Sequence, residues 1–396
     1  MDITIQPRHL RGTIPAIPSK SQAHRLLICA AFADKPTQLR CADTNRDIEA
    51  TVNCLQALGT QILRTDSGYS IFPISSVPET ATLNCCESGS TLRFLLPVVG
   101  ALGIDATFHM EGRLPDRPLS PLWEEMERMG CILTRPSENT IRCTGQLIPG
   151  VYRIDGSVSS QYITGLLFAL SLMNEESILE ITGTVESRPY IDMTRDALHL
   201  FGIDPNHLGS GQFHTPGYLC VEGDWSNSAF FLTADALGSD IILEDLNETS
   251  TQGDRAIQTI LPMLQAGVST HSAADIPDLI PILSVAAASC HGAVFTNIQR
   301  LRLKESDRVA SIIAMIEGLG GVAWATEDTL TIGNIPLRGG IVDSVNDHRI
   351  AMAAAIAATV CSEPVTILGA DAVNKSYPHF WDDYVHLGGK YEQYLR

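Results

Sequence analysis

The stretch Leu55-Gln56-Ala57-Leu58-Gly59 has the apolar spacing of a helix, ends at a glycine and runs into a strand-like segment. A glycine after the last helical turn supplies a left-handed cap, so this stretch predicts a helix that stops and turns into a strand. The pattern recurs at intervals of roughly 50 to 70 residues. Its other copies are Met126–Gly130, Leu198–Gly202, Met263–Gly267, Ile316–Gly320 and Tyr384–Gly388. This spacing predicts about six copies of one α/β unit.

Short β-rich runs lie between these helices and are bounded by Gly, Asn, Asp or Pro. They include Gly68–Pro73, Ile178–Thr182, Ile241–Leu243 and Leu330–Ile332. Because one such unit cannot bury its helices alone, we expect six of them to group as two sets of three. The alternative is an ordinary α/β protein, in which junctions of helix, glycine and strand are simply common.

Length and charge limit the classes of function. A chain of 396 residues is too long for one ordinary core, which predicts two domains. The formal net charge of -18 argues against nucleic acid or an anionic membrane surface as the main partner. The ten cysteines include no CxxC pair, and the N-terminus has no apolar signal segment. We therefore expect a reduced, cytoplasmic protein without a metal, and a buried helix rather than a membrane span at Ile350–Val360.

Five polar segments, each rich in hydroxyls or cations, run into apolar helices of this acidic protein. They are Ile17–Arg25, Glu87–Arg93, Asp155–Tyr162, Arg302–Arg308 and Asn346–Arg349. Helix N-termini with Ser, Lys and Arg suit a small anionic ligand, because backbone N–H groups, the helix dipole and charge-assisted bonds act together. Each segment alone also fits a plain helix cap or a solvated charged face. Their number favours an anion site, provided that they meet in the fold.

The chain resembles the 5-enolpyruvylshikimate-3-phosphate synthase family from about Ile5 to Trp381. The most specific motifs are Asp155–Gln161, Arg188–Asp192, Lys304–Arg308 and Asn346–Arg349, in the family's order and spacing. The resemblance implies transfer of the enolpyruvyl group of phosphoenolpyruvate to the 5-hydroxyl of shikimate 3-phosphate, with phosphate released through a tetrahedral intermediate. It implies no organic cofactor and no metal, and we expect a monomer.

The resemblance also implies the roles of individual residues. Asp278 would be the base for the 5-hydroxyl, Glu305 the proton donor to the methylene carbon, and Lys20 would share the proton traffic. The residues implied to bind shikimate 3-phosphate are Lys20, Ser21, Arg25, Ser159, Ser160, Gln161, Ser187, Tyr190, Asp278 and Lys304. Those implied to bind phosphoenolpyruvate are Lys20, Gly89, Arg117, Gln161, Arg308, Arg349 and Lys375.

The implied fold is an α/β, two-domain, inside-out barrel of six βαβαββ repeats, three in each domain. Residues 1–18 with 224–396 would form one discontinuous domain, on the phosphoenolpyruvate side and carrying the acid and the base. Residues 19–223 would form the inserted domain, on the shikimate 3-phosphate side. The active site is expected in the cleft between them, and substrate binding is expected to close it.

Three positions depart from the family pattern. Glu87 stands where many members have Asn, Arg300 where some have Asn, and Ile17-Pro18 where Pro-Gly is usual. A carboxylate at position 87 is expected either to weaken anion binding or to pair with a nearby arginine, and Pro18 to stiffen the hinge.

Two rival interpretations remain open. UDP-N-acetylglucosamine enolpyruvyl transferases share this fold but carry a reactive cysteine in the region matching about Arg113–Pro121, where this chain has none. A catalytically silent, anion-binding homologue is the other alternative. Such a protein has no reason to keep both Asp278 and Glu305.

Overall fold

The computed structural model describes residues 1–209 and 211–394. Its α-helices, in chain order, are α1 (Lys20–Ala31), α2 (Arg46–Ala57), α3 (Gly89–Leu102), α4 (Leu122–Arg128), α5 (Ser160–Ser171), α6 (Arg188–Leu200), α7 (Trp225–Ala236), α8 (Ile257–Ala266), α9 (Ile280–Ser289), α10 (Arg308–Gly318), α11 (His348–Ala357) and α12 (Phe380–His386). Its β-strands are β1 (Asp2–Ile5), β2 (Arg11–Pro15), β3 (Thr37–Arg40), β4 (Gln61–Thr65), β5 (Gly68–Phe72), β6 (Thr80–Asn84), β7 (Asp105–His109), β8 (Cys131–Ser137), β9 (Thr140–Gly145), β10 (Val151–Asp155), β11 (Ile178–Thr182), β12 (Tyr218–Cys220), β13 (Asp240–Glu244), β14 (Ser269–Ser272), β15 (Ala293–Thr296), β16 (Ala323–Ala325), β17 (Thr329–Ile332), β18 (Gly340–Asp343), β19 (Val365–Leu368) and β20 (Tyr391–Tyr394).

The chain divides into two units. The first unit contains Met1–Ile17 and Gly223–Arg396, and the second unit contains Pro18–Glu222. The sequence-based division assigned Pro18 and Gly223 the other way round. At the crossing, the Asp224 N–H donates to the Ile17 carbonyl at 2.8 Å within the first unit.

One sheet pattern recurs in both units. Four sheets consist of a parallel pair followed by two antiparallel strands: β12-β3-β5-β4, β6-β7-β9-β8, β14-β15-β17-β16 and β18-β19-β1-β20. In the described ranges the sheets β10-β11 and β13-β2 contain the parallel pair alone. Over the described residues each unit thus has three sheets, and one sheet per unit lacks the antiparallel pair of a full βαβαββ repeat.

The most apolar helices are buried on every side, because their side chains cannot face water. Every residue of α11 is buried, and α9 is buried from Ile280 to Ala288. In the first unit α9 packs against α11, and in the second unit α3 packs against α5. No helix of the described ranges is both long and apolar enough to cross a membrane.

Glycine ends most of the helices that the repeat pattern identified. Five of the six predicted glycines have a left-handed φ between 77° and 110°: Gly59, Gly130, Gly202, Gly320 and Gly388. The left-handed cap is therefore confirmed at these positions. It is wrong at Gly267, whose φ of 164° is extended backbone that any residue adopts.

Candidate active site

Many of the predicted site residues lie in the first turn of a helix. The serine or aspartate before each helix accepts a backbone N–H, which opens the helix and leaves its other N–H groups facing outward. These capping residues are Ser19, Ser88, Ser159, Asp307 and Asp347. Each unit therefore has capped helix N-termini of the kind that suits an anion.

Arg308 is the centre of the cluster in the first unit. Its side chain is 1% exposed and donates to three carboxylates. Nη1 lies 2.6 Å from Asp278 Oδ1, Nη2 lies 2.7 Å from Glu305 Oε2, and Nε lies 3.0 Å from Asp347 Oδ2. Arginine suits this position because its donors form a planar fork and its charge does not titrate in the physiological range. The predicted base and the predicted proton donor are thus bound to one guanidinium.

Asp278 is surrounded by positive charge. Arg349 Nη2 donates to its second oxygen at 3.0 Å, and Lys304 Nζ lies 3.9 Å from the first. Burial raises the pKa of this carboxyl, but Arg349, Lys304 and Arg308 together hold the pKa well below its usual range. The carboxylate of Asp278 is therefore ionised.

Burial lowers the pKa of Lys304 from 10.5 to about 8, against the attraction of Asp278. The positive charges of Arg308 and Arg300 lower it further. Arg300 is one of the departures from the family pattern, and its effect here falls on a residue predicted to bind substrate. The ammonium group of Lys304 is thus poised to titrate close to neutral pH.

Two aspartates interact with Arg349. Asp347 caps α11 by accepting the Arg349 N–H at 3.0 Å and also accepts the Ser306 hydroxyl at 3.0 Å. Asp254 is buried, accepts the hydroxyl of Ser226, and has its pKa raised to about 7 by burial and by the charge of Asp278. No local motif marks Asp254, so the sequence does not predict it as a site residue.

Lys375 lies against the backbone segment that precedes α11. Its Nζ donates to the Asn346 carbonyl at 2.8 Å, and the residue is 8% exposed. This contact joins Lys375 to the predicted motif Asn346–Arg349. The family resemblance assigns Lys375 and Arg349 to the same substrate.

In the second unit Lys20 is the first residue of α1. Its Nζ lies 2.8 Å from Asp47 Oδ2, in the first turn of α2. Asp47 was not predicted as a site residue, because its partner lies on another helix. The pair fixes the ammonium group at the N-terminal ends of two neighbouring helices.

Gly89, the first residue of α3, lies beneath two guanidinium groups. A Cβ at this position would stand 2.6 Å from Arg93 Nη1 and 2.7 Å from Arg117 Nη1. Gln161 links this turn to α5, since its Nε2 donates to Ser90 Oγ at 3.0 Å. Its Oε1 accepts from Arg93 Nη1 at 3.3 Å. The structure thus brings together three residues predicted to bind phosphoenolpyruvate and adds Arg93 to them.

Arg25 joins two of the residues predicted to bind shikimate 3-phosphate. It is 2% exposed, and its guanidinium donates to the Ser21 carbonyl at 2.5 Å and to the Tyr190 carbonyl at 2.8 Å. Burial lowers the pKa of Arg25 to about 10, so it remains charged at neutral pH. Ser187, which precedes α6, has a left-handed φ of 55°.

The carboxylate of Glu87 lies beside Gly112. A Cβ on that glycine would stand 2.6 Å from Glu87 Oε2. Glu87, one of the three departures from the family pattern, therefore lies beside the backbone that leads into Arg113 and Arg117.

Comparison with known proteins gives a consistent result. The family model for EPSP synthase (3-phosphoshikimate 1-carboxyvinyltransferase) matches residues 5–384. The 3-phosphoshikimate 1-carboxyvinyltransferase of Clostridium kluyveri is 38% identical over 420 residues, which cover 99% of this chain and 98% of that relative. The enzyme of the same name from Clostridium acetobutylicum is 38% identical over 416 residues, covering 98% and 97%.

Solved structures resemble the whole chain. The EPSP synthase from Acinetobacter baumannii has a TM-score of 0.80 at 23% identity and covers 99% of this chain and 100% of its own. The enolpyruvyl transferase NikO from Streptomyces tendae has a TM-score of 0.77 at 16% identity, covering 99% and 98%. At these identities the likeness bears on the fold, and it confirms the predicted fold class.

Proposed function

This chain belongs to the EPSP synthase family of 3-phosphoshikimate 1-carboxyvinyltransferases, and from that premise we propose which of its residues bind and convert the two substrates. The enzyme transfers the enolpyruvyl group of phosphoenolpyruvate to the 5-hydroxyl of shikimate 3-phosphate and releases phosphate. The observation that carries our assignment is that Asp278 and Glu305 both bind one buried guanidinium, that of Arg308.

Asp278 accepts the proton of the 5-hydroxyl. In the unliganded enzyme its depressed pKa makes it a weak base, because a general base works best with a pKa near the working pH. The phosphate and carboxylate groups of the substrates compete for Arg349, Lys304 and Arg308. As these cations turn towards substrate, their hold on Asp278 weakens and its pKa rises. Substrate binding therefore activates the base.

Phosphoenolpyruvate is bound by Lys20, Gly89, Arg117, Gln161, Arg308, Arg349 and Lys375. Arg93 joins this set, because its guanidinium lies next to Gly89 and Gln161. Two anionic groups about 4 Å apart repel each other by about 4 kcal/mol at an effective dielectric of 20. The cations proposed to bind the substrates offset that repulsion and favour the anionic tetrahedral intermediate.

Shikimate 3-phosphate is bound by Lys20, Ser21, Arg25, Ser159, Ser160, Gln161, Ser187, Tyr190, Asp278 and Lys304. Arg25 acts mainly by fixing the backbone of its neighbours, since its guanidinium is bound to the Ser21 and Tyr190 carbonyls. The hydroxyls at the start of α5 offer short donors to the 3-phosphate.

The predicted domain cleft, the monomeric state and the cytoplasmic location stay predictions. Size-exclusion chromatography with light scattering tests whether the protein is a monomer.

The activity should fall in alkaline solution as Lys304 loses its proton. The lowered pKa means that the cation is present below about pH 8 and lost above it. We expect kcat/KM for shikimate 3-phosphate, which reports the free enzyme, to decline above an apparent pKa of about 8. In Lys304→Arg the cation does not titrate, so this limb should vanish. An unchanged limb in the variant would assign the titration to another group.

Gly89→Ala should weaken phosphoenolpyruvate binding without harming the fold. Alanine is a better helix former than glycine, but its methyl group would displace the guanidinium groups of Arg93 and Arg117. We expect KM for phosphoenolpyruvate to rise about tenfold, which corresponds to about 1.4 kcal/mol, with little change in melting temperature. Gly267→Ala is the matched control, because nothing lies within 4 Å of its added Cβ. Equal KM values in the two variants would remove Gly89 from the site.

The activity itself is tested by phosphate release from phosphoenolpyruvate with either acceptor. Release with shikimate 3-phosphate alone is the expected result. Release with UDP-N-acetylglucosamine would favour the rival transferase. Release with neither acceptor, from folded protein, would favour the silent anion-binding homologue.

A further inference from the structure

A chain of buried polar side chains joins α1, α2 and α3 within the second unit. Thr51 Oγ1 lies 2.7 Å from His24 Nδ1 and 2.7 Å from Thr91 Oγ1. The Thr91 hydroxyl in turn donates to Ser88 Oγ at 2.7 Å. All four residues are fully buried. Buried polar networks of this kind specify the relative position of the elements that they join.

Each end of this chain lies beside a residue assigned to substrate. His24 follows Lys20 by one turn of α1, and Thr51 follows Asp47, the partner of Lys20, by one turn of α2. Ser88 caps α3, whose first residue is the glycine beneath Arg93 and Arg117. The Thr91 hydroxyl also lies 3.5 Å from the backbone carbonyl of Asp47, the partner of Lys20. The network thus lies one helical turn from Lys20 at one end and directly beside Gly89 at the other.

The number of protons fixes the direction of these bonds. Thr91 donates its one hydroxyl proton to Ser88, so it must accept a hydrogen bond from Thr51. Thr51 then has no second proton and must accept from His24, which requires an N–H at Nδ1. Burial first, and then the charges of Lys20 and Arg25, lower the pKa of His24 well below its usual value. Within the described ranges His24 Nε2 has no hydrogen-bond partner, as suits a neutral ring that carries its proton on Nδ1.

We propose that Thr51 is a positioning residue for phosphoenolpyruvate binding, which sets the distance between the Lys20 end of α1 and the Gly89 end of α3. The inference rests on the proposed function, in which those two residues bind that substrate. Without the Thr51 hydroxyl, His24 keeps a buried N–H and Thr91 a buried acceptor that lack partners. The helices then shift to recover bonds, and shifts of this order are costly at an anion site.

Two substitutions of the same residue test the proposal. Thr51→Val keeps the shape but removes the hydroxyl, and we expect KM for phosphoenolpyruvate to rise about tenfold with kcat changed less than about twofold. Thr51→Ser keeps the hydroxyl and should restore KM to within about twofold of the original value. Thr60→Val is the control, because Thr60 is buried in the same unit and its hydroxyl has no hydrogen-bond partner in the described ranges. A KM rise shared by Thr51→Val and Thr60→Val would overturn the proposal, as would a failure of serine to rescue.

A spectroscopic measurement separates this inference from the assignment on which it rests. The ¹⁵N chemical shifts of His24 should show a neutral ring with the proton on Nδ1, and Thr51→Val should change them. A proton on Nε2 in the original protein would contradict the network. If Lys20→Met leaves KM for phosphoenolpyruvate unchanged in an active enzyme, the proposed substrate assignment fails instead, whatever the tautomer.

Discussion

Arg308→Leu is expected to destabilise the protein by about 3–5 kcal/mol and to abolish turnover. Three carboxylates would lose their shared donor, and two of them belong to the proposed acid and base. The largest part of this cost in stability comes from Asp347, because its side chain is fully buried and also caps α11. Removing one partner of a buried ion pair leaves an uncompensated charge, which costs far more than the pair contributes. Urea unfolding followed by circular dichroism measures the loss.

Arg142→Leu is the control, since Arg142 binds Asp105 through two bonds on the exposed surface. Its unfolding midpoint should stay nearly unchanged, because solvent already screens this pair. If both variants lose the same stability, the cluster around Arg308 has no special energetic role. Arg308→Lys is informative as well, because an ammonium group keeps the charge but lacks the planar fork that reaches three acceptors.

The pH dependence of stability has a definite sign in this cluster. The pKa values of Asp278 and Asp347 lie below their usual range in the folded protein. Their contribution is therefore present above the unfolded pKa of about 4 and is lost as the pH falls through the lower folded values. Arg308→Leu should flatten this acid limb, which urea unfolding at several pH values between about 5 and 2 would reveal.

Local signals predicted the repeated α/β unit, whereas the family resemblance implied the inside-out barrel. Pairings between distant segments limited what the local signals could predict. Gly59 and Gly320 mark helix ends because only a left-handed backbone demands glycine there. Gly267 is also a glycine after a helix, but its backbone is not left-handed. No sequence pattern distinguishes it from the other glycines. The strand Ile178–Thr182 was predicted with its observed bounds. In the part of the chain that the structure describes, its sheet has no antiparallel strands, and that depends on contacts far along the chain.

The site shows the same division. Motifs such as Lys304–Arg308 name the residues but not their partners, so the binding of Asp278 to Arg308 required the structure. Asp47 and Asp254 have no motif of their own and acquire significance only through Lys20 or the arginine cluster. The ionisation of a buried carboxyl depends on whether burial or neighbouring charge prevails, and distances decide that contest.

Glu305→Gln is expected to lower kcat by about 10²- to 10⁴-fold while both KM values stay within about threefold. The amide keeps the shape of the side chain and can still accept the Arg308 bond that now measures 2.7 Å, so binding should persist. It cannot supply the proton that the methylene carbon of phosphoenolpyruvate requires. Phosphate release gives kcat, and isothermal titration of shikimate 3-phosphate gives binding without turnover.

Glu317→Gln on the exposed face of α10 is the matched control and should leave both quantities unchanged. Loss of binding together with turnover in Glu305→Gln would mean that the carboxylate orients Arg308 rather than donates a proton. Full turnover in that variant would remove Glu305 as the acid.

Lys20 would then be the next candidate for the proton donor, because its ammonium group is held by Asp47 at 2.8 Å and carries protons that it can donate. The double variant Lys20→Met with Glu305→Gln decides between a shared and a single donor. If the two residues act in one proton transfer, the double variant should be little slower than the slower single variant.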